Sequence, residues 1–119
     1  MLEERVKEVL KLFNSLYEAS DYENIAAMYT EDSKIITGDY GVYEGPEGAA
    51  AYSQGGKEKV GIMKSTYEVA SVDQLDDLIA AFGRCTYYDA NDTSLGTSWF
   101  MTAFKEVDGQ LKIYRDMGF

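Results

Sequence analysis

A few acidic and tyrosine side chains are the residues of this sequence that could support a reaction. The chain has no histidine and one cysteine, Cys85. A Ser–His or Cys–His catalytic group and a histidine-ligated metal site are therefore excluded. Cys85 lies in an apolar run, so we expect a buried small side chain rather than a nucleophile. Any acid–base chemistry would fall to carboxyl and phenol groups.

Asp116 is the carboxylate whose surroundings are most suited to such chemistry. The alternation of the last strand places it on an otherwise apolar sheet face. Such a setting destabilises the charged form and raises the pKa towards the range useful for acid–base catalysis. The alternative is a structural role, in which Asp116 accepts hydrogen bonds from a helix end or a tyrosine. Tyr17 could likewise donate a hydrogen bond to a ligand oxygen or pack in the core.

No metal or cofactor is predicted. The segment 89–93 begins like a calcium-binding loop, but Ser94 and Phe100 stand where the glycine and the bidentate glutamate are required.

The first half of the chain predicts short helices around a pair of short strands. Apolar residues at three- and four-residue spacing over 2–17 predict a helix, and Asp21 is a fresh N-cap for a second one around Ile25, Met28 and Tyr29. Short strands are predicted at 34–37 and 42–44. Gly45-Pro46-Glu47 then begins another helix.

The second half predicts an antiparallel meander of four strands, because β-branched and aromatic residues alternate with turn-forming segments. The strands are expected at 63–72, 78–88, 96–106 and 111–117. Helices followed by strands predict a single α+β domain over residues 1–119, with the helices on one face of a curved antiparallel sheet.

The turns suggest a register for the meander. Pairing Glu106 with Leu111 places Met101 opposite Asp116, and pairing Tyr88 with Gly96 places Gly83 opposite Met101. A slip of one residue in the longer loop would exchange the faces of residues 78–88. With this register, one face and the helices would line an apolar pocket. The predicted ligand-binding residues are Phe13, Tyr17, Tyr52, Trp99, Met101 and Tyr114.

The other face of the predicted sheet is also apolar, although a sheet with helices on one side should have a polar outer face. A second copy of the chain meeting it sheet to sheet is the simplest explanation, and a monomer with scattered surface aromatics is the alternative.

The charge and hydropathy of the chain argue against two classes of partner. A formal net charge of -10 repels nucleic acids and anionic membrane surfaces, and acidity is also a simple means of solubility. No apolar run approaches the ~20 residues of a membrane span, and the N-terminal pattern is unlike a signal peptide. We therefore expect a cytoplasmic protein.

The order of these motifs resembles the nuclear transport factor 2-like superfamily. The run Ala27 to Ser33, the Tyr43-Glu44-Gly45 entry into a helix and the ending Asp108 to Met117 are similar to small stand-alone SnoaL-like domains, which are related to the association domain of calmodulin-dependent kinase II. The resemblance implies a cone-shaped fold with a pocket between the helices and the concave sheet. It also implies dimers or larger rings formed through the outer sheet face.

The catalytic positions of enzymes in that superfamily are not matched. The acidic base, the tyrosine and the second acid of ketosteroid isomerases fall on Thr37, Phe13 and roughly Met101. The Asp–Arg–Asp set of the epoxide-hydrolase branch finds only Asp116 on the presumed pocket face. Three functions therefore stay open. They are a domain that binds a small apolar or amphipathic ligand, an isomerase, cyclase or hydratase that uses Asp116, and a structural oligomerisation hub.

Overall fold

The computed structural model describes residues 1–118 as helices packed on one face of a bent sheet. The elements are α1 (Leu2–Glu18), α2 (Tyr22–Ala26), β1 (Tyr29–Ile36), β2 (Val42–Glu44), α3 (Gly45–Gly55), β3 (Lys64–Leu75), β4 (Leu78–Tyr88), β5 (Ser94–Val107) and β6 (Gln110–Gly118). A π-helical turn over Gly56–Val60 continues α3. Within residues 1–118, no helix is long and apolar enough to cross a membrane.

The predicted N-terminal helices are confirmed, with α2 shorter than expected. Asp21 caps α2 by accepting a hydrogen bond from the backbone N–H of Asn24. The helix ends at Ala26, and Tyr29, which was assigned to its apolar side, already belongs to β1. The backbone N–H of Ile113 donates to the Met28 carbonyl at 2.8 Å. Pairing with β6 therefore prevails over the helical periodicity at this point.

The sheet has six strands in the order β2-β1-β6-β5-β4-β3. The antiparallel meander β3 to β6 and the α+β class are confirmed, and the sheet is mixed because β1 pairs with β6 in parallel. The core lies between the helices and the inner face of the sheet. Its fully buried members include Val6, Ile25, Ala49, Ala81 and Phe104.

The predicted register between β4 and β5 is wrong by one residue. Gly96 pairs with Tyr87 rather than Tyr88, and a bulge follows at this end of the ladder. Gly83 therefore lies opposite Phe100 instead of Met101. Because side chains alternate along a strand, this slip moves every β5 side chain to the opposite face relative to β4.

A second irregularity lies between β5 and β6. Glu106 pairs with Leu111 as predicted, but Ala103 pairs with Arg115 while Phe104 pairs with Ile113, so that Tyr114 is the extra residue of a bulge. Asp116 consequently lies opposite Thr102. The inner face of these strands carries Ile79, Ala81, Gly83, Cys85, Phe100, Thr102, Phe104, Leu111, Ile113 and Asp116. The outer face carries Leu78, Ala80, Phe82, Arg84, Trp99, Met101, Ala103, Lys105, Arg115 and Met117.

Candidate functional site

Asp116 lies on the inner face of β6, between Ile35 of β1 and Thr102 of β5. The Thr102 hydroxyl donates a hydrogen bond to its Oδ1 at 3.1 Å. Burial raises the pKa of Asp116 to about 6, and the hydrogen bond from Thr102 opposes that rise. The side chain nevertheless keeps part of its surface accessible. Protein atoms therefore surround this carboxyl, although solvent still reaches part of the residue.

Tyrosines from three elements lie near enough to this carboxyl to be affected by its charge. Tyr29 of β1 is buried, Tyr67 of β3 is partly buried, and Tyr52 of α3 is 36% exposed. Burial raises the pKa of each of these phenols, and the negative charge of Asp116 raises it further. The phenols are therefore protonated at neutral pH, and each can donate a hydrogen bond.

The inner face also carries the Cys85 thiol, which has a group of hydroxyl side chains around it. Burial raises the pKa of the Cys85 thiol to about 11, while hydrogen bonds with Tyr87, Ser65 and Tyr67 lower it. The hydroxyls of Tyr87 and Ser98 are 2.8 Å apart. Cys85 is buried, which confirms that it is a small core side chain, and its raised pKa disfavours the thiolate that a nucleophile needs.

Of the residues predicted to line the pocket, Tyr17 and Phe13 lie on α1 above the sheet. Their rings stack with centroids 6.1 Å apart. The Tyr17 hydroxyl donates to the Ile62 carbonyl at 2.7 Å, so that it holds the segment after α3 in place. Tyr52 packs against Tyr43, with ring centroids 5.0 Å apart.

The placement of Trp99, Met101 and Tyr114 in the pocket is wrong. Trp99 is 52% exposed on the outer face, where the Arg84 guanidinium lies 5.2 Å from its ring centroid. Met101 pairs with outer-face residues on both sides. The Tyr114 ring lies 3.8 Å from Lys105 Nζ, a side chain of the outer face. The register slip between β4 and β5 causes all three errors, because it reverses the faces of β5 and, through the β5–β6 pairing, of Tyr114.

Sequence reasoning missed the inner-face phenols Tyr29, Tyr67 and Tyr87. Tyr67 and Tyr87 flank Cys85, and Cys85 pairs with Tyr67 across the β3–β4 ladder. The available signal was the predicted inner-face position of Cys85. Tyr87, two residues further along the same strand, must share that face. Tyr67 shares it as well, because directly paired residues of neighbouring strands lie on one face. Tyr29 could not be found in this way because it was assigned to a helix.

A different groove, of about 630 Å³, runs along the far side of α1. Its walls come from α1, α2 and the β5–β6 hairpin, with Val9, Leu12, Leu16, Met28 and Leu111 as apolar lining residues. Neither Asp116 nor the phenols around it line this groove. Its size alone does not make it the functional site, because a binding site also needs a few polar groups placed to orient a ligand.

Asp116 can accept and return a proton, and the protonated phenols near it can donate hydrogen bonds to an oxygen atom. A carboxyl group with a pKa of about 6 changes protonation state close to neutral pH, which is the requirement for a general acid or base. Among residues 1–118, no three His, Cys, Asp or Glu side chains converge as metal ligands.

The sequence matches no family model and no curated protein. Its structure matches solved structures over nearly its whole length. A nuclear transport factor 2-like protein with a cystatin-like fold from Novosphingobium aromaticivorans gives a TM-score of 0.79 at 16% identity, with 98% of this chain and 79% of that chain covered. A protein of this type and of unknown function from Shewanella oneidensis gives 0.78 at 19% identity, covering 99% and 98%.

A third similar structure is ActVI-ORFA from Streptomyces coelicolor, with a TM-score of 0.83 at 16% identity and coverage of 99% of this chain and 96% of that chain. Identities this low establish the fold, and function has to be argued from the site itself. The chain therefore has the nuclear transport factor 2-like, cystatin-like fold that the order of its motifs predicts.

Proposed function

We propose that the chain binds a small, largely apolar molecule in the cleft at Asp116, and that the molecule carries a hydroxyl or carbonyl oxygen. The observation that carries this proposal is a partly accessible carboxyl with Tyr29, Tyr52 and Tyr67 around it. Such a constellation can both accept and donate hydrogen bonds to one polar group. Neighbouring inner-face residues such as Phe100 supply apolar contact.

This ligand is more polar than the one that the sequence predicts. With Trp99, Met101 and Tyr114 on the outer face, the cleft loses three of its expected apolar contacts. It gains hydroxyl groups along β3 and β4, among them Tyr67 and Tyr87. Affinity in a site of this kind depends on matching those donors, because an unpaired buried hydroxyl costs about 1–3 kcal/mol.

Native mass spectrometry tests the proposal directly. The wild-type chain, expressed in the cells of its own source and purified gently, should carry a reproducible small-molecule adduct. Asp116→Asn should lose most of the adduct, because the amide replaces an acceptor oxygen with a donor. Asp32→Asn is the matched control, since Asp32 also accepts a hydrogen bond from a threonine, Thr30, but is exposed. An adduct retained in Asp116→Asn, or absent from the wild type, would contradict the proposal.

A second candidate function is acid–base catalysis of the isomerase, cyclase or hydratase type. The raised pKa of Asp116 favours it, since the carboxylate could take a proton from a carbon or oxygen next to a carbonyl group and return it elsewhere. The phenols could stabilise the negative charge that develops on the carbonyl oxygen.

The adduct identified by mass provides the substrate for this second test. Incubation with the wild-type chain should isomerise the compound, or add or remove water, with a pH profile that has an inflection near pH 6. The inflection and the turnover should disappear in Asp116→Asn and persist in Asp32→Asn. Recovery of the compound unchanged would leave binding as the function and exclude catalysis on that molecule.

A further inference from the structure

Thr102 is a polar side chain in the apolar inner row of β5. It is 3% exposed, and Phe100 and Phe104, its neighbours on the same face of the strand, are buried as well. A valine has nearly the same shape and could be buried there without any hydrogen bond, whereas a buried hydroxyl needs a partner. Within residues 1–118, the one hydrogen bond of the Thr102 hydroxyl goes to Asp116. The carboxyl of Asp116 therefore accounts for a threonine at this position.

The bulge in β6 brings these two side chains together. A regular ladder from the β5–β6 turn would place Met101 opposite Asp116. The extra residue Tyr114 shifts the pairing by one, so that Thr102 stands opposite Asp116 instead. On the other side of β6, Asp116 pairs with the buried Ile35, whose side chain cannot donate a hydrogen bond. Thr102 is thus the strand neighbour that can hold the carboxyl.

The two oxygens of the Asp116 carboxyl have different surroundings. Oδ1 accepts the hydrogen bond from Thr102 at 3.1 Å, and Oδ2 accepts none from residues 1–118. In that part of the chain, no side-chain oxygen or nitrogen is both buried and without a hydrogen-bond partner, so Oδ2 is open to solvent. The partial exposure of the residue agrees with this. A molecule that enters from solvent therefore meets Oδ2 rather than Oδ1.

The groups around the carboxyl are neutral near pH 7. Its charge raises the pKa values of four side chains on β1, α3, β3 and β4, which are Tyr29, Tyr52, Tyr67 and Cys85. Burial raises the pKa of Asp116 itself, and within residues 1–118 the hydrogen bond from Thr102 is the one contact that lowers it. The Thr102 hydroxyl is therefore the main support of the charged carboxylate.

We propose that Thr102 is a positioning residue that holds Oδ1 of Asp116 against β5, and that Oδ2 is the oxygen that exchanges a proton and contacts the bound molecule. This inference rests on the proposed function, because it assigns the contact atom of that site. As long as Thr102 donates to Oδ1, the proton of the neutral carboxyl lies on Oδ2.

The chemistry of Oδ2 selects the group that it binds. The ionised carboxyl needs a hydrogen-bond donor at Oδ2, and the protonated carboxyl needs an acceptor there. A hydroxyl group of the ligand satisfies both states, whereas a carbonyl or ether oxygen satisfies only the second. The ligand group at Oδ2 is therefore a hydroxyl.

Titration of the Asp116 carboxyl in the free chain, followed by nuclear magnetic resonance of its side-chain carbon, tests the positioning role. Thr102→Val removes the donor at nearly constant shape and should move the midpoint up by about one pH unit, because the ionised acceptor loses its hydrogen bond. Thr102→Ser keeps a hydroxyl and should restore the wild-type midpoint. Thr97→Val is the matched control, since Thr97 lies on the same strand and its hydroxyl is 3.1 Å from that of Thr86, in an exposed pair. Its midpoint should equal that of the wild type.

A measurement on the wild-type chain keeps the test valid where a variant fails to fold. The hydroxyl proton of Thr102 should exchange slowly with solvent, and its chemical shift should follow pH with the midpoint of the Asp116 carboxyl. A Thr102 proton that does not respond to this titration would overturn the positioning role. So would equal midpoints in Thr102→Val and the wild type, or a folded Thr102→Ser that keeps the midpoint of Thr102→Val.

Two small aromatic probes test the assignment of Oδ2 to a ligand hydroxyl. Bound 4-methylphenol donates to the carboxylate and should lower the midpoint of Asp116. Its methyl ether, 4-methylanisole, can only accept and should not lower it. A midpoint that 4-methylphenol leaves unchanged, or that both probes lower equally, would overturn the assignment. A wild-type chain without an adduct in native mass spectrometry would instead contradict the proposed function, while the titration of the free chain would still decide the role of Thr102.

Discussion

Asp116 combines properties that make its protonation measurable. Its pKa is about 6 in the folded chain and close to 3.8 when unfolded, because burial disfavours the carboxylate. The folded state therefore holds the proton more tightly than the unfolded state does. The free energy of unfolding contributed by this group falls as the pH rises from about 4 to about 6 and stays lower above that.

The first prediction concerns Asp116→Asn, which removes this dependence. The asparagine can still accept the hydrogen bond from Thr102, so the fold should be kept. Relative to the wild type, the variant should gain stability between pH ~4 and ~6, by at most about 3 kcal/mol because the side chain keeps some contact with water. Urea unfolding at several pH values measures the difference.

Asp32→Asn is again the control, and it should show the opposite trend. The hydrogen bond from Thr30 lowers the pKa of Asp32, so its carboxylate stabilises the folded state above its unfolded pKa, and that stability is lost as the pH falls. A wild type and an Asp116→Asn variant whose stabilities run parallel across this pH range would show that Asp116 titrates normally.

At the scale of elements, the contact between β3 and β4 depends on a single glycine. A Cβ atom added to Gly83 would overlap the Glu68 carbonyl oxygen and lie 2.8 Å from Phe100 Cε2. Gly83→Ala should therefore lower the free energy of unfolding by about 1–3 kcal/mol, as overpacking does elsewhere. Urea unfolding monitored by circular dichroism measures the loss.

Gly55→Ala provides the comparison for Gly83→Ala. A Cβ atom at Gly55 meets nothing within 4 Å, and its backbone is helical, with φ near −62°. The substitution should raise stability by about 0.5–1 kcal/mol, because alanine loses less backbone entropy on folding. Equal effects of the two substitutions would refute the role assigned to Gly83.

Tyr17 connects α1 to the segment that follows α3. Its hydroxyl donates to the Ile62 carbonyl, and Lys57 Nζ donates to the Tyr17 and Glu18 carbonyls at 3.0 and 2.9 Å. Tyr17→Phe should cost about 1 kcal/mol and should accelerate amide hydrogen exchange over residues 56–63. Tyr40→Phe, at an exposed tyrosine, is the control. Unchanged exchange in Tyr17→Phe would show that Lys57 alone holds the segment.

The elements were predictable from the sequence because periodicity and turn residues are local signals, and β2 and β4 were predicted at their observed bounds. The pairing register of the strands was not predictable from such local signals, because it depends on where a bulge inserts an extra residue into a strand. The one-residue difference in register at Tyr87 and Tyr88 reverses the predicted face of every β5 side chain relative to β4. The bulge at Tyr114 reverses the face once more for the residues at the end of β6. The two errors cancel at Asp116. Its inner-face position was therefore predicted correctly, while Trp99 and Met101 were placed on the wrong face.

At the scale of the whole molecule, the net charge opposes the dimer that the apolar outer face of the sheet predicts. Two copies, each with a formal charge of -10, repel one another over long distances. Any contact between opposite charges of the two copies acts only at close range. Salt separates the two effects because the Debye length falls from about 30 Å at about 0.01 M to about 8 Å at about 0.15 M.

We therefore expect the dimer to tighten as salt is raised from about 0.01 M to about 0.15 M, since screening removes the long-range repulsion before it weakens charges in direct contact. Sedimentation equilibrium at several salt concentrations measures the trend. A double variant, Asp73→Arg with Arg115→Asp, keeps the net charge and should follow the same curve as the wild type. Arg115→Asp alone makes the chain more negative, so its dimer should be weaker at low salt and should gain more from added salt. A wild-type dimer that weakens steadily from the lowest salt upward would mean that contact charges, rather than net charge, dominate the association.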